Sequence, residues 1–409
     1  MSGVPARWSS ATLSEIAKWG SGGTPQARNP RFYGGQIPWA VIGDLNDGLV
    51  SRTQAAITAE GLSSSSAKMV PQGAVLVAMY GSIGKLGIAG LPMATNQAIA
   101  FAIPDPRILP RFLFYYLMSQ RDALNAAGKG ATQRNISQTV LKSWPIQFPD
   151  STTEQQKIVE ILDDHLSRID TAVAEIGQAD QRRLSLRSAV IISELRRAGG
   201  EPTQLAEIAR DIRNGIFVSR PKAEPNGVAI LRIGAVRPLS LDLTDLRYSE
   251  RSETDLARED ALLSPGDLLF TRYNGNPRYV GACAVVPQSV PSLTYPDKLI
   301  RVRPHRSMAA SEFVALACSV GPGRQQIQSR VKTTSGQAGV SGADLKRVVI
   351  ALPGIEKQLD AVSAIEERLR SIGMLASSLD SAKLRARQLR RSLLGAAFTG
   401  RLTRAESTN

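Results

Sequence analysis

Leu13-Ser14-Glu15-Ile16 and Leu205-Ala206-Glu207-Ile208 open two stretches of this chain that repeat one another. Working outward, Gly73 and Tyr80 return as Gly266 and Tyr273. Gln133, Ser137 and Pro149 return as Gln337, Ser341 and Pro353, and Glu154-Gln155-Gln156 returns as Glu356-Lys357-Gln358. The offset drifts from 192 to 204, as it should if surface loops gained residues over a kept framework. Each copy runs from a mixed, turn-rich part into a long helical part. A duplicated module predicts a pseudo-two-fold object suited to a ligand with two similar half-sites.

A chain of 409 residues has room for two or three cored domains. Its formal charge is +14, and each globular half (1–154 and 199–355) carries an excess of five positive charges. A basic surplus shared by two repeated units suits a polyanion touched at two places. Cys283 and Cys318 form neither a disulfide framework nor a CxxC pair. Met1–Ser10 lacks the apolar core of a signal peptide, and no apolar run reaches the roughly 18 residues of a spanning helix. The expected location is cytoplasmic.

Residues 8–150 read as a mixed α/β domain. Gly20-Ser21-Gly22-Gly23-Thr24-Pro25 is a loop, Ile37–Ile42 a strand closed by Gly43-Asp44, and Ala74–Met79 a buried strand between Gly73 and Gly81. Gly84–Ala89 and Gln97–Ile103 are further strands, and Pro110–Met118 is a helix with proline in its first turn. The second half repeats this order with strands at Val228–Ile233, Asp267–Thr271, Tyr279–Val286 and Leu299–Val302, then a helix at Ser311–Cys318.

Glu154–Ala198 contains no proline and one glycine, and stops at Gly199-Gly200-Glu201-Pro202. Leu162, Ile169, Ile176 and Val190 recur at heptad spacing, with Arg183 breaking the series. In the proline-free Glu356–Phe398, Ile365, Ile372, Leu379, Ala386 and Leu393 hold that spacing, with Val362 and Leu369 in a second column. Forty-odd helical residues span on the order of 60 Å. A single apolar stripe of that length needs a partner, and the other copy is the nearest. The fold class expected is α/β (α+β), with two repeated domains joined by two long antiparallel helices in a coiled coil.

As a catalyst the sequence is poor. Gly81-Ser82-Ile83-Gly84-Lys85 lacks the first glycine and the Ser/Thr of a phosphate loop. His165 lies in a heptad helix and His305 in a basic turn, neither at metal-ligand spacing. No Gly-x-Ser-x-Gly elbow occurs, and the Asn-Pro-Pro-aromatic motif of amino-methyltransferases is absent. Asp163-Asp164 and Glu366-Glu367 read as solvated helix faces. No catalytic, metal or cofactor site is expected.

The globular halves instead offer polar, cationic and aromatic residues in glycine-broken loops. In the first half these are Tyr80, Ser82, Lys85, Asn96, Gln97, Lys129, Thr132, Gln133, Arg134 and Asn135. In the second they are Arg272, Tyr273, Asn274, Asn276, Arg278, Lys298, Lys332, Thr333, Ser335 and Gln337. Arg, Lys, Asn and Gln match base edges, while Lys, Ser, Thr and glycine amides suit phosphates. Their recurrence at corresponding positions makes them the candidate DNA contacts.

The ordered combination of these motifs resembles the specificity subunits of type I restriction-modification enzymes. It comprises Leu13–Ile16, Gly22-Gly23-Thr24-Pro25, Asn29-Pro30, Tyr33-Gly34-Gly35, Ile37-Pro38-Trp39, Ile42-Gly43-Asp44-Leu45, Tyr80–Lys85, Asn96-Gln97, Gly130–Gln133, Asn135-Ile136-Ser137, Pro149 and Glu154–Ile158, closing with Leu394–Leu402. The second half departs, with Asn214-Gly215-Ile216 against Gly22–Pro25 and Asp297-Lys298 against Asn96-Gln97. The resemblance implies target-recognition domains at 1–153 and 201–354, a spacer helix at 154–200, and a second spacer helix with the tail at 355–409. It implies a non-catalytic subunit that binds a bipartite, asymmetric duplex DNA target. The helices would set the gap and dock two methyltransferase subunits, with exposed residues of Leu384–Phe398 as the docking candidates. Those partners would carry S-adenosylmethionine for adenine-N6 methylation, and restriction subunits would join to cleave. The competing expectation is an assembly scaffold with two repeated binding modules and no DNA readout. An enzyme with an unrecognised site is the third.

Overall fold

The computed structural model describes residues 8–129, 135–218, 221–289, 292–334 and 337–402. It divides into two compact units, Met1–Ile176 with Ser381–Asn409, and Gly177–Asp380.

In the first unit a five-stranded sheet runs in the order Ala17–Ser21, Ile99–Pro104, Val75–Ala78, Leu86–Ala89, Gly48–Val50. A four-stranded sheet holds Ala55–Ile57, Tyr33–Ala40, Met93–Thr95 and Met69–Val70. The central strand is apolar at every position because both of its faces are covered. Val75 and Val77 join one core with Leu13, Phe112 and Leu113, while Leu76 and Ala78 join another with Leu45, Met93 and Phe101. Burying each such Val or Leu contributes about 1.5–3 kcal/mol.

The second unit repeats this plan with different residues. Its four-stranded sheet runs Ala209–Asn214, Leu299–Pro304, Leu268–Thr271, Cys283–Val285. Leu268 and Phe270 face one core and Leu269 the other. Gly73 and Gly266, just before the two central strands, have φ of +86° and +84°, a region costly for any side chain. Both donate their amide across the turn, to the carbonyls of Ala89 and Val286 at 2.8 and 2.9 Å. Leu13–Ile16 and Leu205–Ile208 are one-turn helices whose third residues, Glu15 and Glu207, accept from the amides of Thr12 and Gln204.

The long helices run Thr152–Ala198 and Ile355–Ala397. Each begins with a wholly buried glutamine that fastens it to its globular part. Gln155 accepts from the Leu109 amide at 3.0 Å and donates to the carbonyls of Arg107 and Pro149. Gln358 accepts from the Ala310 amide at 2.8 Å and donates to the carbonyls of Met308 and Pro353. Equivalence by contacts thus pairs Gln155 with Gln358, one residue away from the pairing of Glu154-Gln155-Gln156 with Glu356-Lys357-Gln358. The hydrogen bonds, not the letters, fix the register.

Each unit contains one half of each helix, opposite halves meeting as an antiparallel pair requires. In the first unit Ile158, Leu162, Leu166 and Ile169 pack in one core with Leu394, Ala397 and Phe398, and Arg390 pairs with Asp170. In the second, Ile191 packs with Ala361, Val362 and Ile365, and Arg368 reaches Glu194 at 2.9 Å. Leu162, Ile169, Ile365 and Ile372 of the heptad series are buried, while Ile176, Val190, Leu379, Ala386 and Leu393 are half-buried. Arg183, which breaks the series, is half-buried beside Asp180 at 2.8 Å. Asp163 is not a freely solvated face: it binds Arg111 at 2.5 Å and the Tyr115 hydroxyl. Among the described residues no helix is long and apolar enough to cross a membrane.

Candidate nucleic-acid interface

The same construction stands at the end of the central strand in both units. After Val75–Ala78, Tyr80 forms a backbone bridge with Asn135, and Asn135 bridges back to Lys129. After Leu268–Thr271, Tyr273 pairs with Gly339, and Gly339 pairs back with Lys332. The Ile136 and Val340 amides close the two arrangements onto the carbonyls of Met79 and Arg272, both at 2.9 Å. Each unit therefore presents a lysine-bearing hairpin laid against a tyrosine. Thr132, Gln133, Arg134 and Ser335 lie outside the described residues.

Side chains divide by what they already bind. Lys85 is half-buried and donates to the Ile42 carbonyl at 3.2 Å, tying its turn to Ile42-Gly43-Asp44. Asn96 accepts from the Ala98 amide at 3.1 Å, and Asn274 and Asn276 accept in sequence from the amides of Asn276 and Arg278. These residues shape turns. Ser82, Gln97, Lys129, Asn135, Asn276, Arg278, Lys332, Thr333 and Gln337 are exposed. In the second unit, Arg272 lies 4.7 Å from the centroid of the Tyr273 ring, with Lys298 at 6.0 Å. Arg272 also donates to the Asp297 carbonyl at 3.2 Å, and Lys298 pairs with Asp297 at 2.8 Å.

A second locus lies beside the first in each unit. The Gly22 and Gly23 amides donate to the carbonyls of Ile99 and Thr95, and the Gly215 and Ile216 amides to those of Leu299 and Tyr295. A Cβ on Gly22 would meet the Thr95 carbonyl oxygen at 1.9 Å, and one on Gly215 that of Tyr295 at 2.2 Å. These contacts pair Thr24 with Phe217, and Asn96, Gln97 and Ala98 with Pro296, Asp297 and Lys298. The expected match of Asn96-Gln97 with Asp297-Lys298 is therefore one residue out of register. Thr24 donates its hydroxyl hydrogen to Gln97. In the second unit that neighbourhood is a cavity of about 430 Å³ whose walls include Phe217, Arg232, Arg247 and Lys298. The sequence analysis passed over Phe217, because Ile216-Phe217-Val218 looks like ordinary core.

Beneath this locus the second unit holds a charge network. Arg301, fully buried, donates to Asp211 at 2.5 Å, to Asp260 at 2.8 Å, and to the carbonyls of Asp260 and Leu262. Arg303 grips Asp267 with two hydrogen bonds at 2.7 Å. Burial acts to raise Asp260, but Arg301 and Arg303 outweigh it and hold the carboxyl below its ordinary value. Burial pushes the Tyr295 phenol up to about 12. Strand for strand, Arg301 and Arg303 stand where the first unit has Phe101 and Ile103. Among the described residues no cluster of three or more His, Cys, Asp or Glu is placed to hold a metal ion.

A sequence model described as Type I restriction modification DNA specificity domain matches residues 5–177. The chain is 29% identical to the Type I restriction enzyme EcoKI specificity subunit of Escherichia coli (strain K12), over 98% of this chain and 90% of that one. It is 34% identical to the EcoR124I/EcoR124II specificity subunit of Escherichia coli, over 43% of this chain and 44% of that one. The fold is shared with a chain solved in a study of complex assembly and conformational transition of the type I R-M system. The TM-score is 0.68 at 16% identity, over 98% of this chain and 99% of that chain. Residues 5–177 thus match the DNA specificity domain of type I restriction-modification systems, and over nearly its whole length the chain is similar to a type I specificity subunit.

Proposed function

We infer that this chain is the DNA-recognition subunit of a type I restriction-modification assembly and performs no chemistry itself. Each unit reads one part of a bipartite, asymmetric duplex target through the major groove. The observation that carries this reading is the repeated tyrosine–lysine hairpin, Tyr80 with Lys129 and Asn135, and Tyr273 with Lys332 and Gly339, on globular parts (1–154 and 199–355) of equal basic excess. Exposed Lys129, Lys332 and Arg278 supply phosphate contacts, and Gln97, Asn135 and Gln337 have the donor–acceptor geometry for base edges.

The long helices set the unread gap and dock two methyltransferase subunits, which bring S-adenosylmethionine and methylate adenine N6. Restriction subunits join the same assembly. Leu384 and Leu389, both exposed on the second helix, are the apolar docking residues within the Leu384–Phe398 stretch. Leu394, Ala397 and Phe398 are instead buried, with Phe398 packed edge-on against Phe112 and Tyr116.

The test is equilibrium binding of the full chain to a selected bipartite duplex between 50 and 200 mM salt. Phosphate contacts from both units predict a log–log slope of about −4 or steeper. A slope near zero with no preference among duplexes would favour a scaffold that binds two protein copies.

A further inference from the structure

Phe217 is 75% exposed, the most exposed large apolar side chain among the described residues. It sits on a wall of the second unit's cavity, and it is the counterpart of Thr24. In the first unit Thr24 is also exposed, but its hydroxyl is hydrogen-bonded to the neighbouring Gln97. In the second, Phe217 has no group to make that bond, and Asp297, the counterpart of Gln97, pairs with Lys298 instead. Lys298 itself replaces Ala98. Arg232 and Arg247 share one carboxylate, Asp245, so three cations face two acids and the rim keeps a net positive charge. An exposed aromatic ring within a cationic rim is costly in water and unnecessary for folding, because the apolar cores of this unit close without Phe217.

We propose that Phe217 is a specificity-determining contact of the second unit, its ring packing against the 5-methyl group of a thymine in the major groove, with Lys298 and Arg232 on the flanking phosphates. This rests on the chain reading duplex DNA. In a stacked duplex the thymine methyl is the apolar feature that the major groove offers to a side chain. The cations supply attraction to the backbone without choosing a sequence. The first unit has a polar Thr24–Gln97 pair at the same place, so the two units use one locus for different bases.

The experiment is selection from a random duplex library by the full-length wild-type chain and by the Phe217→Ala and Phe217→Thr variants. Wild type should yield a bipartite motif. Both variants should keep the half read by the first unit and lose preference at one thymine of the other half. On the selected duplex, deoxyuridine at that thymine should weaken wild-type binding about tenfold and Phe217→Ala binding less than twofold. An unchanged motif in both variants would overturn the assignment. Uniform weakening with preferences kept would also overturn it, pointing to a wedge or a phosphate contact. Failure of the wild-type chain to select any bipartite motif would instead defeat the DNA-reading function, and this inference with it.

Discussion

Replacing Arg301 with leucine should loosen the second unit and leave the first untouched. Arg301 makes four hydrogen bonds, to Asp211, to Asp260 and to two backbone carbonyls, from a side chain with no exposed surface. Removing one partner of a buried ion pair costs about 3–5 kcal/mol, because the remaining charge is left uncompensated. Here Asp211 keeps Arg213 at 2.8 Å and Asp260 keeps Arg303 at 2.8 Å, and leucine refills part of the volume. The loss should therefore fall near the lower end, about 3 kcal/mol. Two units make a single unfolding midpoint ill-defined, so the assay is native-state amide hydrogen exchange. Amides of Leu268–Thr271 and Leu299–Val302 should exchange about a hundredfold faster, while those of Val75–Ala78 serve as the internal control. Acceleration of less than fivefold would refute the reasoning. An acid titration adds a second arm. Asp260 is held below its ordinary value, so its contribution is complete above about pH 4 and is lost as the pH falls below that. Wild-type protection in the second unit should decline over that range, and the decline should shrink in Arg301→Leu.

Gln155→Leu and Gln358→Leu each remove three buried hydrogen bonds at a helix start. Each should destabilise its own unit by about 2–4 kcal/mol, read as a loss of exchange protection confined to that unit. Cys283 and Cys318 are fully buried, and burial pushes the Cys318 thiol up to about 12 and raises Cys283 as well. Neither should react with iodoacetamide at pH 8 in the folded chain, and both should react in 6 M guanidinium; rapid labelling of the folded chain would contradict that burial. Inserting one helical turn near Ile176, matched by one near Asp380, should lengthen the gap in the selected DNA motif. An unchanged gap would remove the spacer role from the helices.

The repeat and the long helices were legible because they rest on local pattern. Heptad spacing, absent proline and the Gly199-Gly200 stop located Thr152–Ala198 within two residues at its start and on its last residue. Ala74–Met79 was readable as a strand buried on both faces because it is apolar throughout. Short strands such as Met69–Val70, Met93–Thr95 and Leu293–Thr294 exist only through pairing with distant partners, and they carry no signal of their own. The Arg301 network was also hidden. In sequence Leu299–Pro304 is a strand with two arginines, and nothing in it tells whether the acids that neutralise them lie behind the sheet or in solvent. At the candidate site, composition identified the Tyr80 and Tyr273 hairpins. It could not separate Lys85 and Asn274, which shape turns, from exposed Lys129 and Gln337. Phe217 escaped because exposure of an aromatic residue depends on whether its neighbour closes over it, and Asp297 turns instead to Lys298.

Independent reading by two units is the centre of this account, and exchanging one of them tests it most directly. Residues 1–150 would be replaced by the corresponding segment of a type I specificity subunit, and the DNA motif selected by the hybrid compared with that of the parent. The account predicts one half of the motif replaced, with the other half and the gap retained. Alteration of both halves, or of neither, would contradict it.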